Sequence, residues 1–265
     1  MGHGKLRKFE ENKSFGCLLQ PESESVISRG GQGLSLIDHP VKGRWNETVF
    51  DSPRPIILEL GCGKGEYTIS LAERHPEYNY IGIDIKGARL WKGAKYATEH
   101  NMRNVAFLRT RIEFIEAFFG PGEVEGIWLT FSDPQLRREN ARLTSPRFLG
   151  RYRSFLRPGG LVQLKTDSRF LYEYSRAVAL QNGLEITASS TDIYGGEIAG
   201  VDGTARKDLT EIRTYYEKMS LALGYEIKYL AFRMEHEGEF IYPEFDADYW
   251  RSIEGERNFG YTTVQ

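Results

Sequence analysis

Between Ile56 and Glu66 the chain reads Ile-Ile-Leu-Glu-Leu-Gly-Cys-Gly-Lys-Gly-Glu. An apolar run with one acidic interruption, Glu59, enters three glycines at alternate positions, Gly61, Gly63 and Gly65, and helix formers continue to Arg74. The pattern predicts a buried strand, a tight turn and a helix. Glycine there lets the backbone take positive φ and pass directly beneath a bound nucleotide. The turn is a candidate cofactor seat.

Spacing and charge narrow the cofactor. A dinucleotide fingerprint would be G-x-G-x-x-G with a pyrophosphate at the helix N-terminus, and an acidic strand residue would sit badly beside that anion. Here the glycines are G-x-G-x-G and Glu59 stands just before them, which suits a ligand with an ammonium and no phosphate: S-adenosylmethionine. About 20 residues on, Tyr80-Ile81-Gly82-Ile83-Asp84 reads as a second strand ending in a carboxylate placed for a ribose diol. The plainer alternative is a glycine turn in a parallel sheet, with Asp84 capping the next helix.

At 265 residues, 40% hydrophobic, the chain is long enough for one α/β core with appendages. It has no apolar run of the roughly 18–20 residues a bilayer crossing needs and no apolar leader, so a cytoplasmic protein is expected. Cys17 and Cys62 are too few for a disulfide framework or a metal cluster, and no metal is expected. The net charge of −2 does not announce a nucleic-acid binder. Patterning says more, because Arg137 to Arg157 holds seven arginines against one acidic residue, Glu139. Lys5, Arg7, Lys8 and Lys13 form a second basic patch.

Residues 1–52 show no clear period and read as a partly flexible arm ending in a short packed segment near Trp45 to Phe50. From 53 to 233 strand-like runs alternate with helix-length segments. The strands are Ile56–Leu60, Tyr80–Ile83, Val105–Leu108, Gly126–Phe131, Leu161–Lys165, Glu185–Ser190 and Glu226–Phe232. The helices are Glu66–Arg74, Gly87–His100, Ile112–Phe119, Ser145–Phe155, Ser168–Asn182 and Arg206–Leu223. This alternation predicts an α/β fold with a doubly wound, mostly parallel sheet. Ligands then lie over the carboxyl ends of the strands, where Asp133 and Asp167 end adjacent strands and should face one cleft. Residues 234–265 form an acidic, aromatic extension. Its Phe240, Tyr242, Phe245, Tyr249, Trp250, Phe259 and Tyr261 are expected to pack on the domain or on a second subunit, which leaves monomer and homodimer both open.

Six blocks together resemble the TrmB-type tRNA (guanine-N7)-methyltransferases. They are Leu58 to Glu66, Gly82 to Gly87, Phe131-Ser132-Asp133-Pro134, Arg142-Leu143-Thr144, Leu164 to Ser168 and Thr214-Tyr215-Tyr216-Glu217. The resemblance covers about residues 41 to 233. It implies a class I methyltransferase fold, Rossmann-like with seven strands and the last antiparallel, and methyl transfer from S-adenosylmethionine to N7 of guanine 46 in the tRNA variable loop. Carried over by motif, Glu59 holds the methionine end of the cofactor, Asp84 its ribose, and Asp133 is the active-site aspartate, also at the cofactor. Thr110-Arg111 occupies the place where the family often has an acidic or amide residue meeting adenine, a departure from its pattern. Arg137, Asp167, Thr214, Tyr215, Tyr216 and Glu217 fall at substrate positions. The chain departs from the family in Asp133-Pro134-Gln135, where a tryptophan is usual, and in a shorter basic loop without histidine.

Guanine N7 carries an in-plane lone pair and no proton, so its methylation needs no general base. Orientation and a carboxylate facing the developing positive charge suffice; Asp133 is the candidate, with Asp167 or Glu217 reading guanine N1–H and N2–H₂. The arginines would meet phosphates. Rival readings are a methyltransferase acting on another RNA, an exocyclic amine or a small molecule, and a non-catalytic RNA-binding homologue.

Overall fold

Long apolar runs without polar alternation mark strands buried on both faces, and the structure places them at the centre of one sheet. This computed structural model describes residues 3–30 and 33–255. In chain order, α1 (His3–Asn12) precedes β1 (Leu18–Leu19), a hairpin of β2 (Ile27–Gly30) and β3 (Gly33–Leu36), and α2 (Trp45–Thr48). Then come β4 (Ile56–Leu60), α3 (Glu66–Arg74), β5 (Asn79–Asp84), α4 (Gly87–Glu99), β6 (Val105–Arg109), a 3₁₀ segment at Ile112–Ala117 and β7 (Val124–Thr130). The chain continues through α5 (Pro146–Arg153), β8 (Leu156–Thr166), α6 (Arg169–Gln181), β9 (Ile186–Ser190), α7 (Gly203–Glu211), α8 (Tyr215–Ala222), β10 (Lys228–Arg233) and α9 (Ala247–Gly255).

The main sheet runs β1-β6-β5-β4-β7-β8-β10-β9, parallel throughout except β10, which is antiparallel to both neighbours. It therefore has eight strands rather than seven. The extra one is β1, joined to β6 at Leu18↔Phe107 and Leu19↔Leu108; two residues are too few to show a period. The arm before it is anchored as well. The Asn12 amide donates to the Gly87 carbonyl at 2.9 Å and the Trp91 indole to Glu11 at 2.7 Å, which lays α1 on α4.

Two other elements differ from expectation. Ile112–Ala117 is 3₁₀ rather than α; the tighter spiral rises further per residue and delivers Phe118 and Phe119 into the core. The helix expected over Arg206–Leu223 is broken into α7 and α8, because Thr214 caps α8 by accepting from the Glu217 amide at 3.2 Å. Thr-x-x-Glu is a capping-box signature and could have placed that break.

Side-chain alternation along the strands splits the core. Leu58, Leu60, Ile127, Leu129, Val162 and Leu164 pack on the α5 and α6 face, and Tyr67, Leu90, Phe107, Trp128 and Tyr229 on the α3, α4 and α7 face. The Phe107 ring sits among three glycines. A Cβ on Gly65, Gly82 or Gly93 would approach it to 2.6, 2.8 and 2.6 Å respectively. In the extension, Phe245 meets Phe170 and Tyr174 of α6 edge-on, both at 5.4 Å, so this aromatic packs on the chain's own domain. Phe259 and Tyr261 lie outside the described residues.

Gly93 is inside α4, where alanine would ordinarily add about 1 kcal/mol. Here the added methyl also meets the Lys64 carbonyl at 2.9 Å, so Gly93→Ala should instead destabilise by about 1–3 kcal/mol, read from urea unfolding. A more stable variant would show that the ring is not confined.

Candidate active site

The chain leaves β4 toward β5 and β6 and returns on the other side at β7, so the crevice over the ends of β4 and β7 is the topological switch point. The glycine turn lies there with φ of +78° at Gly61, +57° at Gly63 and +73° at Gly65, the left-handed conformation only glycine takes without cost. Its amides are tied to the end of β5: Gly61 and Cys62 donate to the Ile83 carbonyl at 2.8 and 3.0 Å, and Gly63 to Asp84 Oδ2 at 3.0 Å. Asp84 Oδ1 accepts from the Lys86 amide at 2.7 Å. Asp84 thus holds the turn before α4 and fixes the glycine loop, but it does not cap the helix as the plainer reading had it: the N-cap is Lys86, with no side-chain cap. Thr110 follows β6, buried, its hydroxyl 3.5 Å from the Arg111 carbonyl.

Glu59 projects to the α3 side of β4 and is 4% exposed. Its Oε2 accepts from the Thr68 amide at 2.8 Å and from the Thr68 hydroxyl, and Oε1 from the Thr130 hydroxyl. One carboxyl therefore joins β4, α3 and β7. Burial pushes it up to about 7, against the pull of these hydrogen bonds, and nearby Asp84 raises it further. Burial raises Asp84 as well. Neither is ion-paired with any described residue. Two desolvated carboxyl groups under a glycine turn fit a cationic ligand, which would stabilise their charged forms, and do not fit a pyrophosphate.

Beyond β7 the chain turns sharply. Phe131 and Gln135 both take positive φ, +49° and +47°, strain of the kind that surrounding structure must enforce. Between them Asp133 is exposed, its Oδ1 accepting from the Gln135 amide at 2.8 Å. Arg137 is exposed on the same loop, and Arg138 donates to the Gln135 side chain at 2.8 Å.

The Thr214–Glu217 segment lies against the glycine turn. The Tyr215 amide donates to Glu66 Oε2 at 2.8 Å, and the Lys64 ammonium stands 4.4 Å over the half-exposed Tyr215 ring. Tyr216 meets Tyr215 edge-on at 5.7 Å. Glu217, however, is fully buried: it pairs with Lys165 at 2.8 Å and accepts from the Tyr194 hydroxyl at 2.7 Å. Burial pushes Lys165 down to about 8, against the pull of Glu217. Asp167 is also buried and accepts from the Ser220 hydroxyl of α8 at 2.6 Å. Asp133 and Asp167 thus end adjacent strands, but the first is open to solvent while the second is directed to α8.

The arginine stretch divides in the same way. Arg151 pairs with Glu116, Arg153 with the Gly238 carbonyl and Arg157 with Glu125, and Arg142 is buried. Of the seven, Arg137 and Arg138 stand on the Asp133 loop and Arg147 is exposed on α5. Ordinary fold contacts hold the others, which the count of arginines alone did not reveal.

Because the folded-state pKa of Glu59 lies above its unfolded value of 4.5, the folded protein holds more protons between those values. This stability is fully present below the lower value and is lost as pH rises through about 7, by about 3 kcal/mol. Urea unfolding at about pH 5 and about pH 8 should show that loss in the native protein and its absence in Glu59→Gln; parallel profiles would remove Glu59 as the titrating group.

A family model described as "Putative methyltransferase" matches residues 53–201. The tRNA (guanine-N(7)-)-methyltransferase of Bacteroides thetaiotaomicron is 41% identical over 265 residues, 99% of each chain. That of Porphyromonas gingivalis is 47% identical over 221 residues, 82% of this chain and 88% of its own. Among solved structures, the 16S rRNA methyltransferase KamB matches with a TM-score of 0.56 at 13% identity, covering 79% of this chain and 99% of that one, a likeness of fold alone. With near-complete coverage at this level of identity, the chain belongs to the tRNA (guanine-N(7)-)-methyltransferase family.

Proposed function

We propose that this protein methylates N7 of guanine 46 in the variable loop of tRNA. The observation that carries the reading is the 41% identity over 99% of the chain to a tRNA (guanine-N(7)-)-methyltransferase; the contact of the Thr214–Tyr216 segment with the glycine turn supports it by bringing the substrate motif to the cofactor seat.

S-adenosylmethionine, when bound, supplies a methyl group on a positively charged sulfur. Glu59 would hold its ammonium end and Asp84 its ribose, with the glycine turn passing beneath it and Thr110 bordering its adenine. Guanine N7 would take the methyl with its own lone pair as the methyl–sulfur bond breaks and the sulfur leaves as the neutral thioether of S-adenosylhomocysteine, and no proton would move. Asp133, on a loop held in a strained shape, faces the purine and stabilises the positive charge that passes to the ring. Tyr215 and Tyr216 wall the base. Glu217 and Asp167 hold that wall from beneath, through Lys165 and Ser220, rather than reading the base edge. Arg137 and Arg138 meet phosphate.

The test is incubation with methyl-labelled S-adenosylmethionine and unmodified tRNA, followed by mapping. Label at N7 of guanine 46 is expected, with Asp133→Ala slower by about 100-fold; label on another atom, or near-normal turnover by the variant, would overturn the site assignment. Reversing Arg137 and Arg138 to glutamate should weaken tRNA binding and flatten its salt dependence by about one contact per charge. Reversing Arg157, already paired with Glu125, should leave the slope unchanged.

A further inference from the structure

Arg142 is 3% exposed and lies 4.6 Å from the Phe170 ring and 4.3 Å from the Tyr174 ring, both on α6. Its Nε donates to the Pro134 carbonyl and its Nη2 to the Leu136 carbonyl, each at 3.3 Å. These carbonyls flank Gln135, whose positive φ and backbone N–H hydrogen bond to Asp133 Oδ1 define the loop. A planar guanidinium can hold both carbonyls at once while stacking between rings; a lysine ammonium cannot. The segment carrying Arg142 is itself fixed: Ser175 donates to Thr144 at 2.7 Å and Tyr152 to the Leu143 carbonyl at 2.9 Å. No phosphate could reach so buried a cation.

The box around Arg142 is completed from far along the chain. Phe245 packs edge-on against both Phe170 and Tyr174. Glu254 of α9 accepts from the Arg169 and Phe170 amides at 3.1 and 3.2 Å, capping the helix that carries those rings.

We propose that Arg142 is the positioning residue of the Asp133 loop, and that the C-terminal extension, through Phe245 and Glu254, holds Arg142 in place. The carboxylate at the methyl acceptor is thus aimed by a buried cation that touches neither cofactor nor tRNA. The claim rests on the proposed role of Asp133 in methyl transfer, but the loop's order can be read without turnover.

The test compares the native protein, Arg142→Lys, Phe245→Ala and the double variant, all well below their melting temperatures. Arg142→Lys should lower kcat by about 10- to 100-fold and speed amide exchange over residues 131–138, while the dissociation constant for S-adenosylmethionine changes less than about 2-fold. Phe245→Ala should act in the same direction more weakly, and the double variant should be no worse than Arg142→Lys, because both act along one path. Unchanged exchange in Arg142→Lys would overturn the proposal, as would losses that multiply in the double variant or a parallel loss of cofactor binding. If the native protein fails to methylate tRNA, the reading of Asp133 falls, and the exchange measurement still decides whether Arg142 holds the loop.

Discussion

A carboxyl group buried between two strands is costly unless its oxygens are satisfied, and Glu59 meets that condition by drawing on both sides of the crevice. Thr68 from α3 and Thr130 from β7 converge on it. The strands between which the sheet reverses are thereby held by side chains as well as by their ladder, and the glycine turn begins directly after this joint. Raising the carboxyl's affinity for a proton is the cost of putting it there, a cost that a nearby cation would offset.

Much of this was legible from residue order. Apolar runs and glycine punctuation located the central strands, since buried parallel strands leave a strong unbroken signal, and Glu59, Gly61, Gly63, Gly65 and Asp84 fell together at one turn as their spacing required. What was not legible depended on partners distant along the chain. Nothing local distinguishes Arg142, boxed by α6, from Arg137, which faces solvent. Glu217 looks like a polar residue on a helix until Lys165, 52 positions earlier, is seen beneath it. The strand Leu18–Leu19 is too short to announce itself.

The ion pair of Lys165 and Glu217 illustrates why such residues matter without touching a ligand. Both are fully buried, and breaking such a pair from one side strands a charge, at about 3–5 kcal/mol. The pair also ties the first turn of α8 to β8. Across the crevice, buried Arg142 donates to the Pro134 and Leu136 carbonyls of the Asp133 loop.

The ring of Phe107 carries a different consequence. It touches the turn, the neighbouring strand and the helix that follows, and each has surrendered a methyl group to make room for it. Anyone transplanting this turn into another parallel sheet would have to carry along an aromatic from the next strand but one, together with a bare position on two further elements. The portable unit is therefore larger than the string of glycines suggests, and copying the glycines alone would leave a hole where the ring should be.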